Sequence, residues 1–396
     1  MTPRFDYSAV QKGVIAIQPQ ERIVFGHPAG EAAVAEAERY GAKRVFVVSC
    51  RSLARLADGP LQRVVDALGQ RCAGVYSRIS AHTPREDVVA AAAAARSANA
   101  DLLVAVGGGS TVDATKAMLL CLWMGVDTPE RLDNFHLNSS TPEEVVLPAN
   151  PIRMVAVSTT LSASEFTSLA GVTDTLISQK QLFRHPLMVP RSAILDPAAT
   201  FDTPAWLISS SGMRAVDHAV ESYCSLLANP ATEGLSLQGL KLLAQSLPLI
   251  KAQPENMKAR LDAQFGMWQA IAGSADGAST GASHGIGYAL GATFDVPHGH
   301  TSCVLLPSVM RWNAVVNAER QRALSIAMGA PGTPAADLIS DLVKRLEQPQ
   351  TLRDVNVGQD SLDLIATRAL SYPVLKLNPR PVISAADVRE ILDMAW

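Results

Sequence analysis

Apolar residues in the first half of the chain fall into short β-branched runs that alternate with helical stretches. The runs are RVFVVS (residues 44–49), DLLVAV (101–106), MVAVST (154–159) and SAILDP (192–197). EAAVAEAERYGA (31–42) precedes the first run and DVVAAAAAARSANA (87–100) the second, and helix propensity accounts for the alanine tract at 90–95. Strands alternating with helices predict a largely parallel α/β sheet. From residue 202 the β-rich runs mostly stop. Thr203-Pro204 offers an N-cap with proline at the first helical position, and residues 233–247 and 257–272 carry helical periodicity. The expected organisation is an α/β domain over residues 1–200 and an all-α domain over 201–396.

Composition supports two domains and narrows the partners. A chain of 396 residues exceeds the size at which one core keeps growing, and 48% hydrophobic content supplies two. A net charge of -3 without any long Lys/Arg run argues against nucleic acid or an anionic membrane as partner, leaving small molecules. The N-terminal stretch MTPRFDYSAVQKGVIAIQPQERIVFG shows neither a leader pattern nor a bilayer-length apolar run, so a soluble, cytoplasmic protein is expected. Five scattered cysteines with no C-x-x-C pair suggest buried reduced thiols rather than disulfides or a thiolate zinc site.

Two stretches carry candidate chemistry. VAVGGGSTVDATKAM (104–118) sets three glycines and a serine between an apolar strand and a helix, where backbone can approach a phosphate closely and free helical N–H groups face it. It is neither G-x-G-x-x-G nor a P-loop, and it follows the second or third expected strand. Asp113 and Lys116, three apart, read either as a surface ion pair or as a second polar anchor near a cofactor. GMRAVDHAVE (212–221) has helical periodicity that places His218 one turn after Arg214 on a shared face. A metal-binding helix would want an acid where Arg214 stands.

Taken with STTLSASEFT (158–167), ILDPAAT (194–200), GMRAVDHAVESY (212–223) and HGIGYALGATFDVPHGHTSCVLLP (284–307), the glycine loop resembles the iron-containing (group III) alcohol dehydrogenase family. The blocks keep the family's order from about residue 20 to 315. HTP (82–84), the short TTLSASEFT and TFDVPH (293–298) lean toward the maleylacetate reductase branch. The resemblance implies an α/β dinucleotide-binding domain, a helical catalytic domain, an active site in the cleft between them, hydride transfer between NADH or NADPH and a small carbonyl or alcohol, and frequent dimers. Carried over by position, Gly107, Gly108, Gly109 and Ser110 hold the pyrophosphate, Asp113 and Lys116 belong to the same signature, Thr159 and Thr160 approach the cofactor, and Lys180 joins them. Where many relatives place an acid after an early strand, this chain has Cys50 and Arg51, and Arg51 could pair with a 2′-phosphate.

His218, His284 and His298 fall in the family's metal-ligand blocks, but Arg214 replaces the acid four residues before His218. A cation in place of an anion beside a divalent ion is doubly unfavourable. Asp217, about 100° further round the helix, is better placed to pair with Arg214 than to share a metal with His218. The maleylacetate reductase branch generally lacks that acid, which implies hydrogen bonding and proton transfer for the histidines. Tyr288 stands where relatives usually have another histidine and reads either as a proton donor or as a packed core side chain; His300 reads as a loop residue. Arg214 could clamp a substrate carboxylate. The expected activity is reduction of a small keto acid of the maleylacetate type. The alternatives are a metal-dependent alcohol dehydrogenase holding iron or zinc on His218, His284 and His298, and a catalytically decayed nucleotide-binding protein.

Overall fold

The computed structural model describes residues 14–15, 17–177, 179–275 and 279–396. Residues 1–13, part of the stretch expected to lack a leader or membrane span, lie outside them. Among the described residues no helix is long and apolar enough to cross a membrane.

Six strands pair in parallel: β1 (Arg22–Phe25), β2 (Val45–Cys50), β3 (Cys72–Ile79), β4 (Leu102–Gly107), β5 (Arg153–Ser158) and, after an antiparallel hairpin of β6 (Leu169–Asp174) and β7 (Gln179–Arg184), β8 (Ser192–Leu195). Their order in the sheet is β1-β8-β5-β4-β2-β3. Helices α1 (Ala29–Arg39) and α2 (Pro60–Leu68) cover one face, and α3 (Arg85–Ser97) and α4 (Gly109–Met124) the other. Alternate residues of one strand therefore serve two cores. Val45 and Val47 of β2 join α1 and α2, while Phe46 and Val48 join α3 and α4. A strand covered on both faces reads as an unbroken apolar run, which is how β2, β4, β5 and β8 were visible in the sequence.

The connections run outward in opposite directions from the β2/β4 pair, so the crevice beyond the carboxyl ends of these strands is the topological switch point where open α/β sheets bind ligands. The glycine loop lies there. It follows β4, the fourth strand, and not the second or third as expected, because β1 and β3 are edge strands with half-exposed residues and no apolar run.

Beyond Leu195 the described elements are helices and short turns: α5 (Ala205–Cys224), α6 (Pro230–Ala252), α7 (Met257–Ala275), α8 (Ala282–Phe294), α9 (His298–Ala327), α10 (Ala335–Arg345), α11 (Leu362–Ala369) and α12 (Ala385–Ala395). Every residue of α5 from Ile208 to Cys224 is buried, so it is the central rod of this half, wrapped by α6, α7 and α9. Thr203 is not its N-cap: Pro204 holds that position, and the Thr203 hydroxyl donates to the carbonyl of Thr159 at 2.6 Å. That bond fixes the start of α5 to the loop after β5. All five cysteines are free; Cys121, Cys224 and Cys303 are buried as expected, whereas Cys50 and Cys72 are partly exposed.

Candidate active site

At the crevice, β4 ends in Gly107 and Gly108 leads into α4 without any side-chain cap. The first-turn amides of such a helix have no intrahelical acceptor and present a positive dipole, which suits a phosphate. Gly108 is required by close approach: a Cβ there would lie 2.8 Å from Thr160 Cγ2. Thr159 and Thr160 are buried against this loop, with the Thr159 amide donating to Gly107 O at 3.1 Å. The main chain of Ser110 accepts from Thr83 at 3.0 Å. Glycines that pull two loops together beneath an uncapped helix fit a dinucleotide pyrophosphate.

Lys116 does not belong to that surface. It is fully buried, and its ammonium donates to Ser164 O at 2.6 Å, Leu169 O at 2.7 Å, Ser164 Oγ at 3.0 Å and Thr167 Oγ1 at 3.2 Å, with Asp113 at 3.5 Å. No donor is left for a nucleotide. Asp113 is likewise engaged by the Ser164 hydroxyl and, at 3.0 Å, by the Gly171 amide. The pair is not a surface ion pair: together Asp113 and Lys116 pin the β6–β7 hairpin to α4.

The hairpin carries Lys180 across β6, over Gly171, where a Cβ would collide with Lys180 Cε. Lys180 Nζ reaches 3.4 Å from His298 Nε2, at the first turn of α9. It thus stands at the histidines and not against the glycine loop. Around it gather His218 and Arg214 from α5, His284 and Tyr288 from α8, and His298. Ring centroids are 4.7 Å apart for His218 and His284, 6.1 Å for His284 and Tyr288, and 6.5 Å for Tyr288 and His298. The Arg214 guanidinium lies 5.7 Å from the Tyr288 ring centre and donates to Ser302 Oγ at 3.1 Å. His300 is in the first turn of α9 and not on a loop, stacked near Trp206 away from the cluster. Arg51 is exposed after β2, on the far side of the crevice.

Beneath the histidines are acids. Glu221 accepts from the amides of Gly281 (2.8 Å), Ser283 (2.7 Å) and His284 (3.4 Å) at the start of α8, and pairs with His284 Nδ1 at 2.7 Å. A carboxylate partner puts the imidazole proton on Nδ1 and leaves Nε2 as a lone pair, and this Nε2 is buried without a partner. Asp217 accepts from Ser302 at 2.6 Å and Ser283 at 2.8 Å and lies 3.8 Å from Arg214. Burial raises Glu221 to about 7 and, with Arg214, lowers His284 to about 3. Burial, helped by neighbouring cations and imidazoles, keeps His218 and His298 well below the usual imidazole range. The Tyr288 phenol is pushed up by burial. Burial also holds Lys180 below the usual ammonium range, so near neutral pH the cleft offers neutral imidazoles, a protonated phenol and the Arg214 guanidinium, an environment that polarises a carbonyl and can deliver a proton.

Comparison with known proteins decides the family. The family profile "Iron-containing alcohol dehydrogenase" matches residues 19–197, and that of the "Fe-containing alcohol dehydrogenase family, C-terminal" matches 208–396. The chain belongs to the iron-containing alcohol dehydrogenase family. Within that family it is similar to the maleylacetate reductase of Sphingobium indicum, with 34% identity over 362 residues and 91% of each chain covered. It is 31% identical to that of Burkholderia cepacia over 376 residues, 95% of each chain. The crystal structure of maleylacetate reductase from Agrobacterium tumefaciens superposes with a TM-score of 0.81 at 27% identity, covering 98% of this chain and 99% of that one. The chain thus falls in the maleylacetate reductase branch and is an NAD(P)H-dependent oxidoreductase.

The family's name implies iron, and the residues here fit it poorly. Arg214 occupies the cluster and acts electrostatically on all three histidines. Among the described residues the group with ligand-like spacing is Asp217, Glu221 and His284, whose ligand atoms lie within 4.8 Å of one another, and not His218, His284 and His298. In that group Asp217 Oδ2, Glu221 and His284 Nδ1 are already occupied by one another, by hydroxyls, by amides and by the guanidinium.

Glu221 and Ser302 escaped the sequence reading, and Asp217 was weighed as a metal ligand and read as a partner for Arg214. Their signal was faint: acids one turn apart on a helix buried on every side. Since all of α5 is buried, apolar periodicity could not say which polar residues faced the cleft.

Proposed function

We propose that this enzyme reduces the carbonyl of a small keto acid, of the kind named by its maleylacetate reductase relatives, with no divalent cation in the chemical step. The observation that carries the reading is Arg214, a buried guanidinium beside Tyr288 and the three imidazoles, held on one side by Ser302 and Asp217. A guanidinium fixed this way is preorganised to take a carboxylate and to orient the adjoining carbonyl. The bound nicotinamide supplies the hydride. The Arg214 guanidinium and the N–H groups of His218 and His298 stabilise the developing oxyanion, and Tyr288, raised by burial, holds the proton that the alkoxide needs. His284 is oriented by Glu221, and Lys180 polarises His298.

The test is NAD(P)H oxidation across maleylacetate, shorter keto acids and aldehydes of similar size. Arg214→Ala should raise KM for keto acids about 10- to 100-fold, the scale of a lost charge-assisted pair, and leave aldehydes within a few-fold. Equal losses on both classes would refute the carboxylate role. The spacing of Asp217, Glu221 and His284 favours a second reading, a shifted metal site. Stoichiometric iron or zinc in purified protein, with activity abolished by a chelator and restored by the ion, would establish that reading instead.

A further inference from the structure

His82 and Thr83 form the bend between β3 and α3, at the carboxyl edge of the sheet, and both hold left-handed backbone, with φ of 62° and 57°. That conformation is unfavourable for a residue with a Cβ, most of all a β-branched one, and it persists only where the surroundings enforce it. Here they do. Thr173 of β6 donates its hydroxyl to His82 O at 2.6 Å and its amide to Thr83 O at 2.9 Å. The Thr83 hydroxyl donates to Ser110 O, in the first turn of α4, at 3.0 Å. The bend is pinned to the hairpin and to the glycine loop, and its imidazole is left to reach across the crevice.

It reaches the corner where α8 turns into α9. His82 Nε2 lies 3.4 Å from Asp295 Oδ1, and Asp295 is the left-handed C-cap of α8, three residues before His298. The His82 ring also stands edge-on to that of His298, with centroids 6.4 Å apart. His298 needs such support. The Glu221 carboxylate orients His284 through Nδ1, but the Nδ1 of His298 is buried without a partner. The direction of the His298 ring is therefore set by Lys180 at Nε2 and by where α9 begins. The His82 and Asp295 side chains are 47% and 88% exposed, so their contact covers no core, and an exposed pair of this kind adds little stability. Strain held for so little stability points to function.

We propose that His82 is a positioning residue for the reduction: through Asp295 it fixes the α8–α9 corner from which His298 meets the reacting carbonyl. The inference rests on the reading that His298 stabilises the developing oxyanion. A ring displaced by a fraction of an ångström still faces the bound keto acid but no longer the charge that develops on its oxygen, so the loss belongs to kcat and not to KM. The seats of the substrate carboxylate at Arg214 and of the dinucleotide on the glycine loop are untouched.

Steady-state kinetics with maleylacetate and NAD(P)H, beside urea denaturation, test this. His82→Gly relieves the left-handed bend, so the variant should be at least as stable as wild type while kcat falls about tenfold and KM stays within about threefold. His82→Gln, which keeps an N–H at similar reach, should recover most of the lost kcat. Asp295→Gly, equally at ease in left-handed backbone, should reproduce the loss. Combining the two glycine variants should cost no more than either alone, because they break one contact. Wild-type kcat in His82→Gly, or losses that multiply to about a hundredfold in the double variant, would overturn the proposal. So would lower stability with kcat unchanged, the signature of a purely structural contact. His298→Ala separates the positioning role from the reading beneath it. A slow His298→Ala beside a fully active His82→Gly would overturn the positioning role alone. A fully active His298→Ala, or a wild-type enzyme that reduces no keto acid, would overturn both.

Discussion

Two polar interiors sit a hairpin apart in this molecule, and they are built on opposite terms. At Lys116 and Asp113 the bonds are filled: one ammonium meets four hydrogen-bond acceptors and Asp113, and both Asp113 oxygens have further donors, although the buried Glu165 carboxylate nearby has no hydrogen-bond partner of its own. Around His284 the accounts stay open. His284 Nε2, His218 Nδ1, His298 Nδ1 and Asp217 Oδ1 are buried with no partner, and Lys180 and Arg214 face one cleft. Leaving a buried polar atom unpaired costs about 1–3 kcal/mol, so a saturated cluster reads as structure and a convergent unsaturated one as a place where another molecule completes the bonding. The two are coupled, because the Lys116 and Asp113 peg sets the hairpin from which Lys180 reaches His298.

The sharpest way to break this contrast is at the peg. Lys116→Met should destabilise the fold by about 3–5 kcal/mol, since it strands Asp113 and two carbonyls in the interior. Urea denaturation measures this, and a variant as stable as wild type would show that the saturated network is dispensable. The opposite signature belongs to the cleft. Tyr288→Phe should leave stability within about 1 kcal/mol, since Arg214, the partner of the hydroxyl, keeps Ser302 and Asp217, while kcat falls about 100-fold, the contribution of a positioned proton donor. A Phe variant with full activity would return Tyr288 to the core.

Glu221 lies at the border between the two types, and pH separates its parts. Its folded value of about 7 stands above the ordinary 4.5, so alone it contributes stability that is present below pH 4.5 and lost as pH rises toward 7. His284, lowered from 6.5 to about 3, contributes stability present above pH 6.5 and lost as pH falls. Between pH 4.5 and 6.5 the folded pair holds one proton, and so does the unfolded pair, so its contribution is flat. Glu221→Gln keeps an acceptor for the α8 amides but removes the compensating proton. The variant should take up about one more proton on unfolding than wild type between pH 4.5 and 6.5, losing stability more steeply as pH falls. Parallel stability curves would mean that Glu221 and His284 do not share a proton.

The same contrast explains what the sequence made legible. β2, β4, β5 and β8 announced themselves because burial on two faces makes a strand apolar throughout, while β1 and β3, half-exposed edges, had no such run. The glycine loop was readable because only a residue without Cβ fits beside Thr160. Lys116 was misread because Asp-x-x-Lys has one spacing whether the helix face is wet or buried; only the carbonyls of Ser164 and Leu169, some 50 residues away in the chain, distinguish the two. Lys180 was expected only to approach the cofactor, because its strand gives no hint of a reach across Gly171 to His298 in another half of the molecule. Contacts between distant segments are what residue spacing cannot encode.

A smaller effect tests whether the glycine loop belongs with the unsaturated class or the saturated one. Gly108 has φ -87°, so alanine is allowed by the backbone, and the obstacle is the Thr160 methyl 2.8 Å from the new Cβ. That contact must open by several tenths of an ångström, parting the two loops that would seat the pyrophosphate. Thr160 is buried against the loop, but a shift of its side chain by that much strands no hydrogen-bonding group, whereas a site shaped to a phosphate loses its fit. Gly108→Ala should therefore weaken binding of either dinucleotide about three- to tenfold, with stability changed by less than about 1 kcal/mol. If stability fell and cofactor affinity held, the close approach of these loops would be core packing, and the phosphate cradle would have to be sought elsewhere on the carboxyl edge of the sheet.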